Sequence, residues 1–337
     1  MTPPTPPRRP REHGDPVPLI SESPGSRFRG NDETPRARWR ASLGRWLVSG
    51  PPVLYLIVFF AIPSLIMVLA SFRTPGEFGG LAPLYEAGRL DLNLDSYARF
   101  FEETIYARIF VKSVVYALVT TLCSLLLAYP LAALIARSSK RYRDLLLLLV
   151  ILPFWSNFLI RIYAWMIILG PNAALARAVN GVLGWFGHEP VPLLFSAFAV
   201  LVCLVYVSLP FMVLPLYANL EKHDPALLEA AQDLGASAWQ RFWRITFPLS
   251  LPGVYAGGAL VFIPALGIFA IPDILGGPED SLIGNVIKQQ FLETRDWPFG
   301  SVLSIVLTVA ALAIAGLAAW VARANLGTPS SAREARA

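Results

Sequence analysis

From residue 46 to residue 323 the chain alternates long apolar stretches with shorter polar connections. Residues 52–72, 113–136, 145–169, 191–217, 251–275 and 300–321 each form such a stretch. About 20 mostly apolar residues are needed to cross roughly 30 Å of hydrocarbon as a helix. Backbone polar groups inside a bilayer must be satisfied within the segment, and no strand-like alternation runs through these stretches. The pattern therefore predicts an all-α integral membrane chain with six transmembrane helices.

Composition agrees. Hydrophobic residues make up 55% of the 337, charged residues 15%, and the mean hydropathy is +0.53. A soluble domain carries about 25% charged residues. Cys123 and Cys203 lie inside apolar runs and read as small hydrophobes rather than a disulfide framework. Residues 1–45 differ: they are rich in Pro and Arg, lack a signal-peptide core, and read as a disordered basic tail. A segment binding anionic lipid or nucleic acid is the alternative there. The domain reading is thus a tail over 1–45, a six-span domain over 46–323 and a short tail over 324–337.

Charge sets the expected orientation. Nine arginines, from Arg8 to Arg45, precede the first span. Arg137, Lys140, Arg141 and Arg143 fall between spans two and three, and Lys222, Arg241 and Arg244 between spans four and five. The first and fifth connections are instead rich in Asp and Glu, including Asp273, Glu279 and Asp280. By the positive-inside rule both termini face the cytoplasm. The net charge of +5 resides beside the spans, which argues against a nucleic-acid partner.

The connection over residues 218–248 carries its own local code. Asp224 and Pro225 suit the start of a short helix. Gly235 suits a left-handed stop just past its end. Ser237 and Gln240 form a capping box that opens a second helix, and Pro248 is expected to close the unit before the membrane. Ala226, Ala230 and Ala231 leave one helix surface nearly free of bulk.

These residues carry a resemblance. Glu229-Ala230-Ala231, then Gly235, then Ile245, Phe247 and Pro248 are similar to the EAA motif of permease subunits of ABC importers, with Phe247 where Leu is usual. The resemblance implies a type I importer permease and a two-helix cytoplasmic coupling loop that docks on a separate ABC ATPase. Glu229, Ala230, Ala231, Gly235, Ile245 and Pro248 are the residues it assigns to that coupling. Three further segments resemble the B/H-type permeases of spermidine/putrescine importers: residues 152–165, Leu275-Gly276-Gly277 with Ile283-Gly284-Asn285 and Gln289-Gln290-Phe291, and Asp296–Gly300. They imply a polyamine substrate, a second permease subunit and an external solute-binding protein. Permeases for iron or aminoethylphosphonate share parts of these segments, so another solute stays open.

The chain offers no catalytic or cofactor chemistry of its own. None of Lys112, Lys140, Lys222 and Lys288 follows Gly, so a phosphate-binding loop ending Gly-Lys-Ser/Thr is absent. His13, His188 and His223 are scattered. The expectation is a transport subunit with no catalytic, metal or cofactor site; an integral membrane enzyme is the weaker alternative. For the substrate path the candidates are Trp155, Asn157, Arg161, Tyr163 and Trp165 in the third span and Asp273 at the end of the fifth. Aromatic faces attract organic cations and Asp273 could draw one in. Arg161 would repel a cation unless paired, and it could equally snorkel to an interface while the aromatics form an interfacial belt.

Overall fold

The computed structural model describes residues 50–83, 85–86, 89–90 and 92–326. The expected tail over 1–45 lies outside the described residues, as does 324–337 apart from helical backbone to Leu326. Six helices are long and apolar enough to cross a membrane: Gly50–Ala70, Thr104–Arg137, Phe158–Trp185, Ala197–Leu220, Ala238–Gly267 and Trp297–Trp320.

The helix Gly50–Ala70 is α1, with a π turn at Ile57–Ala61. After it come a two-residue hairpin, β1 (Tyr85–Glu86) and β2 (Arg89–Leu90), and the short helix α2 (Asp95–Glu102). The 34-residue α3 (Thr104–Arg137) begins nine residues before the apolar stretch that announced it. Its first turns carry Arg108 and Lys112, whose charges had concealed the helix start.

The third span departs from expectation. The apolar stretch over 145–169 is not one helix. It consists of α4 (Lys140–Ile151), a 3-10 turn at Leu152–Trp155, and α5 (Phe158–Leu169). Pro153 cannot donate an amide bond, and Asn157 takes an extended conformation to cap α5, its Oδ1 accepting from the Leu159 amide at 2.8 Å. Gly170 before Pro171 then ends α5, because the proline ring disfavours helical geometry in the residue before it. Helix α6 (Ala174–Trp185) follows.

Helix α7 (Ala197–Leu220) is capped by Ser196, and α8 (Ala226–Asp233) is the short helix after it. The fifth span, expected over 251–275, is displaced toward the N-terminus. It is α9, continuous from Ala238 to Gly267. Pro248 therefore does not close the unit before the membrane. The π turn at Phe242–Thr246 supplies the extra backbone length that lets the proline sit inside a continuing helix. The break comes later, at Ile268 and Phe269, before α10 (Ala270–Leu275). The Phe269 carbonyl there accepts from Asn285 Nδ2 at 3.0 Å. Helices α11 (Ile283–Leu292) and α12 (Trp297–Leu326) complete the chain.

The packed centre joins α3, α7 and α9. Ala128 and Ala132 of α3, Met212, Val213 and Leu216 of α7 and Val261 of α9 are buried together. The alanines of α3 sit four residues apart on one face, so α7 and α9 approach its backbone closely. A second cluster joins Ile162 and Leu169 of α5, Val200 and Leu204 of α7, and Ile271 and Leu275 of α10.

Candidate functional site: an exposed loop and a broken span

The loop between α7 and α9 is ordered by its own hydrogen bonds. Asp224 Oδ1 accepts from the Ala226 amide at 2.9 Å and opens α8. At its other end the Gly235 amide donates to the Gln232 carbonyl at 2.8 Å and the Ala236 amide to the Ala231 carbonyl at 2.9 Å. This pair is a Schellman stop, and it places Gly235 at φ +79°, where a side chain would be strained. Two residues on, Ser237 Oγ accepts from the Gln240 amide at 3.3 Å while Gln240 Oε1 accepts from the Ser237 amide at 2.9 Å. Arg241 Nη1 donates to Gln232 Oε1 at 2.6 Å and ties the start of α9 back to α8. The cap, the stop and the box stand where the residue types placed them.

What this frame presents is small and exposed. Glu229, Ala230 and Gly235 are exposed and Ala231 is half-buried. Among the described residues Glu229 makes no ion pair. Ile245 belongs to the loop's seat instead: it lines a cavity of about 430 Å³ with Arg137, Leu220, His223 and Leu249. Pro248 is exposed on α9. The structure adds Leu234, 88% exposed beside Gly235, and Trp239, 71% exposed, to this surface. Sequence reasoning missed both, since an apolar residue in a loop looks the same whether it is packed or presented.

The candidates for a substrate path do not converge. Trp155 and Tyr163 are exposed. Asn157 is occupied as the cap of α5, and Trp165 meets Tyr206 edge-on with centroids 5.4 Å apart. Asp273 is paired with Lys288 Nζ at 2.7 Å and accepts from Asn285 Nδ2. The hydrogen bond that Lys288 donates to Asp273 raises the Lys288 pKa above its ordinary 10.5. Among the described residues no hydrogen bond or ion pair links Asp273 to the third-span group.

Arg161 is the unusual member. Its guanidinium lies 4.9 Å from the Phe154 ring centroid and 5.9 Å from that of Phe158. Its Nε and Nη1 are sequestered with no hydrogen-bond partner. A cation–π contact contributes about 0.5–2 kcal/mol, and an arginine at the bilayer centre costs about 2.5–3.5 kcal/mol even on insertion scales. The two ring contacts together, about 1–4 kcal/mol, are of the same size as that cost, but they leave Nε and Nη1 without a hydrogen-bond acceptor.

The family model for the binding-protein-dependent transport system inner membrane component matches residues 105–325, which take in both the loop and the broken span. The chain belongs to this family. The spermidine/putrescine transport system permease protein PotB of Escherichia coli (strain K12) is 44% identical to it over 257 residues, covering 76% of this chain and 89% of that protein. PotB of Haemophilus influenzae (strain ATCC 51907 / DSM 11121 / KW20 / Rd) is 42% identical over 257 residues, covering 76% and 86%. The inner membrane ABC transporter permease protein YdcU of Escherichia coli (strain K12) is 30% identical over 280 residues, covering 77% and 83%. Among solved structures, a chain of the bacterial alginate ABC transporter in complex with an alginate pentasaccharide-bound periplasmic protein matches with a TM-score of 0.65 at 20% identity. That match covers 83% of this chain and 95% of the other, and it establishes a shared fold. The family member is thus a multi-pass membrane permease subunit of an ABC transporter, a transport component rather than an enzyme.

Proposed function

We propose that this permease subunit moves polyamines of the spermidine/putrescine class into the cytoplasm. The observation that carries the substrate class is 44% identity to PotB over 257 residues, a match that runs through the spans and is not confined to the loop. Both termini and the loop around Glu229 face the cytoplasm in this reading, as the arginine and lysine distribution requires. Two ABC ATPase subunits sit below, a second permease subunit lies alongside, and a solute-binding protein delivers cargo from outside.

The loop is suited to coupling because it is stiff before anything docks. Helix, Schellman stop and capping box leave it little conformational entropy to lose on binding, so motion of the ATPase reaches α9 as a rigid-body displacement. Glu229, Ala230, Ala231 and Gly235 form the docked surface, with Leu234 as its apolar anchor. Ile245 supports the loop from beneath, and Pro248 holds the π turn through which α9 enters the membrane. ATP-driven closure of the ATPase pair brings the two loops together and turns the cavity outward; hydrolysis resets it.

The test is uptake of labelled spermidine and putrescine by transport-deficient cells expressing this chain with its neighbouring genes. Energy-dependent accumulation is expected. No accumulation of either, with an ATPase still co-purifying, would overturn the polyamine reading and leave a permease for another solute.

A further inference from the structure

The unpartnered guanidinium of Arg161 points beyond this chain. Its depth follows from its neighbours. Arg161 stacks over Phe154, and Phe154 packs edge-on against Phe211 of α7 with centroids 5.1 Å apart. Phe211 lies nine residues before Leu220, the last residue of α7. At 1.5 Å per residue that is roughly 14 Å from one end of a helix about 36 Å long. Arg161 thus stands well inside the membrane, too deep for easy contact with a headgroup phosphate.

Among the described residues no acid pairs with it. The six membrane-length helices contain no Asp or Glu at all. Asp144 lies near the start of α4, beside the basic end of the helix, and Asp273 is engaged by Lys288 and Asn285. Charged groups at such depth are retained where they pair. Arg161 is half-buried, and with Nε and Nη1 sequestered, Nη2 is the nitrogen that a group outside this chain can reach. A polyammonium cargo would repel it rather than satisfy it.

We infer that Arg161 is one half of an intramembrane ion pair whose carboxylate is supplied by the second permease subunit. A second copy of the present chain would bring no acid in its membrane-length helices. The pair fixes the contact between the two permeases at mid-membrane and holds the Phe154 and Phe158 faces occupied by an internal cation. The inference rests on the reading of this chain as one of two paired permeases. It rests also on a cationic cargo, because an anionic solute would itself pair with Arg161.

The experiment uses the full complex, expressed with its native second permease and ATPase. Arg161→Gln should reduce recovery of the second permease with this chain by about tenfold or more, since removing one partner strands a buried charge on the other. Arg161→Lys should retain part of the complex, because the charge survives without the planar fork. Selection for restored transport in the Arg161→Gln strain should return changes of one Asp or Glu, within a span of the second permease, to a neutral residue. An Arg161→Gln complex that assembles and transports like the wild type would overturn the inference, as would suppressors confined to this chain. Recovery of the second permease is read without substrate, so it tests the ion pair separately from polyamine uptake, whose failure in the wild-type complex would count against the transport reading.

Discussion

The two ends of α3 stand in opposite surroundings. At the end that begins with Thr104, Ser113 Oγ accepts from the Ile283 amide at 2.8 Å. The Tyr116 hydroxyl donates to Asp280 Oδ1 at 3.0 Å, and Lys112 Nζ stands 3.6 Å from the same oxygen. The Gly277 amide donates to Asp280 Oδ2 at 3.0 Å, so one carboxylate pins a whole turn onto the helix. At the end that finishes with Arg137, the helix borders the cavity beneath the loop, and the loop's outer surface meets no other part of the described chain. One end spends its polar groups on internal contacts. The other is ordered mainly by hydrogen bonds within the loop, with an ion pair from Arg143 to Glu221 at its start, and leaves Glu229 and Leu234 exposed. Internal closure marks the part that must hold still, and in the proposed reading the exposed, ordered loop is the part that the ATPase holds.

Glycine makes the contrast sharp, and the largest predicted effect tests it. Gly284, the second residue of α11, is not a positive-φ glycine, but a Cβ there would lie 2.5 Å from the Gly267 carbonyl oxygen and 2.8 Å from that of Ile268. Both are rigid backbone atoms at the break between α9 and α10. Gly284→Val is expected to cost more than about 3 kcal/mol, beyond ordinary overpacking. The outcome to measure is yield and thermal midpoint in detergent, where the variant should fall far below wild type. Wild-type stability would show that the locked end is not locked.

The vacant end responds differently. Glu229 is exposed and makes no ion pair among the described residues, so Glu229→Lys should keep its stability within about 0.5 kcal/mol of wild type. Uptake should nevertheless fall by an order of magnitude or more, because in the proposed reading the altered charge faces the ATPase. A variant that loses stability and transport together would move Glu229 to the structural side of the comparison.

Gly235 sharpens the glycine argument. Nothing lies within 4 Å of a Cβ built there, yet its φ is +79°. Gly235→Ala therefore pays only the left-handed backbone cost, about 1–2 kcal/mol, and Gly235→Asn should recover much of it. Asn at position 284 should recover nothing, since its obstacle is space. The two substitutions at the two sites, compared by thermal midpoint, separate a conformational glycine from a packing one.

The same contrast explains what was legible in the sequence. The loop's cap, stop and capping box depend on residues within four positions of one another, so Asp224, Gly235, Ser237 and Gln240 announced themselves. The existence of six spans followed from length and hydropathy. The boundaries did not, because Lys112 sits inside α3 and Pro248 inside α9. A charge can lie in a terminal turn and a π turn can absorb a proline, and neither is visible from composition. The break in the third span needed Asn157 read as a helix cap rather than as a path residue. Asp273 was legible as an acid at a membrane boundary, but its partner Lys288 lies 15 residues away on another helix. That pairing is set by tertiary structure alone.

The smallest effect belongs to this last pair, on the closed end. The Asp273 hydrogen bond raises the Lys288 pKa above 10.5. A lysine raised above its unfolded value contributes stability fully below about pH 10.4, and loses it as pH climbs through the folded value. The side chains of Lys288 and Asp273 are 33% and 29% exposed, so screening keeps the contribution at the scale of a surface pair, up to about 1 kcal/mol. The thermal midpoint of the wild type should therefore lose, above about pH 10.5, a small increment that Lys288→Met has already lost at neutral pH. The gap between the two proteins should narrow with rising pH and never widen. A gap unchanged to the highest pH tolerated would mean that Lys288 acts there through packing of its aliphatic stem. The closed end would then be held by shape and by the Asp280 turn, with the Asp273 pair as an ornament of the surface.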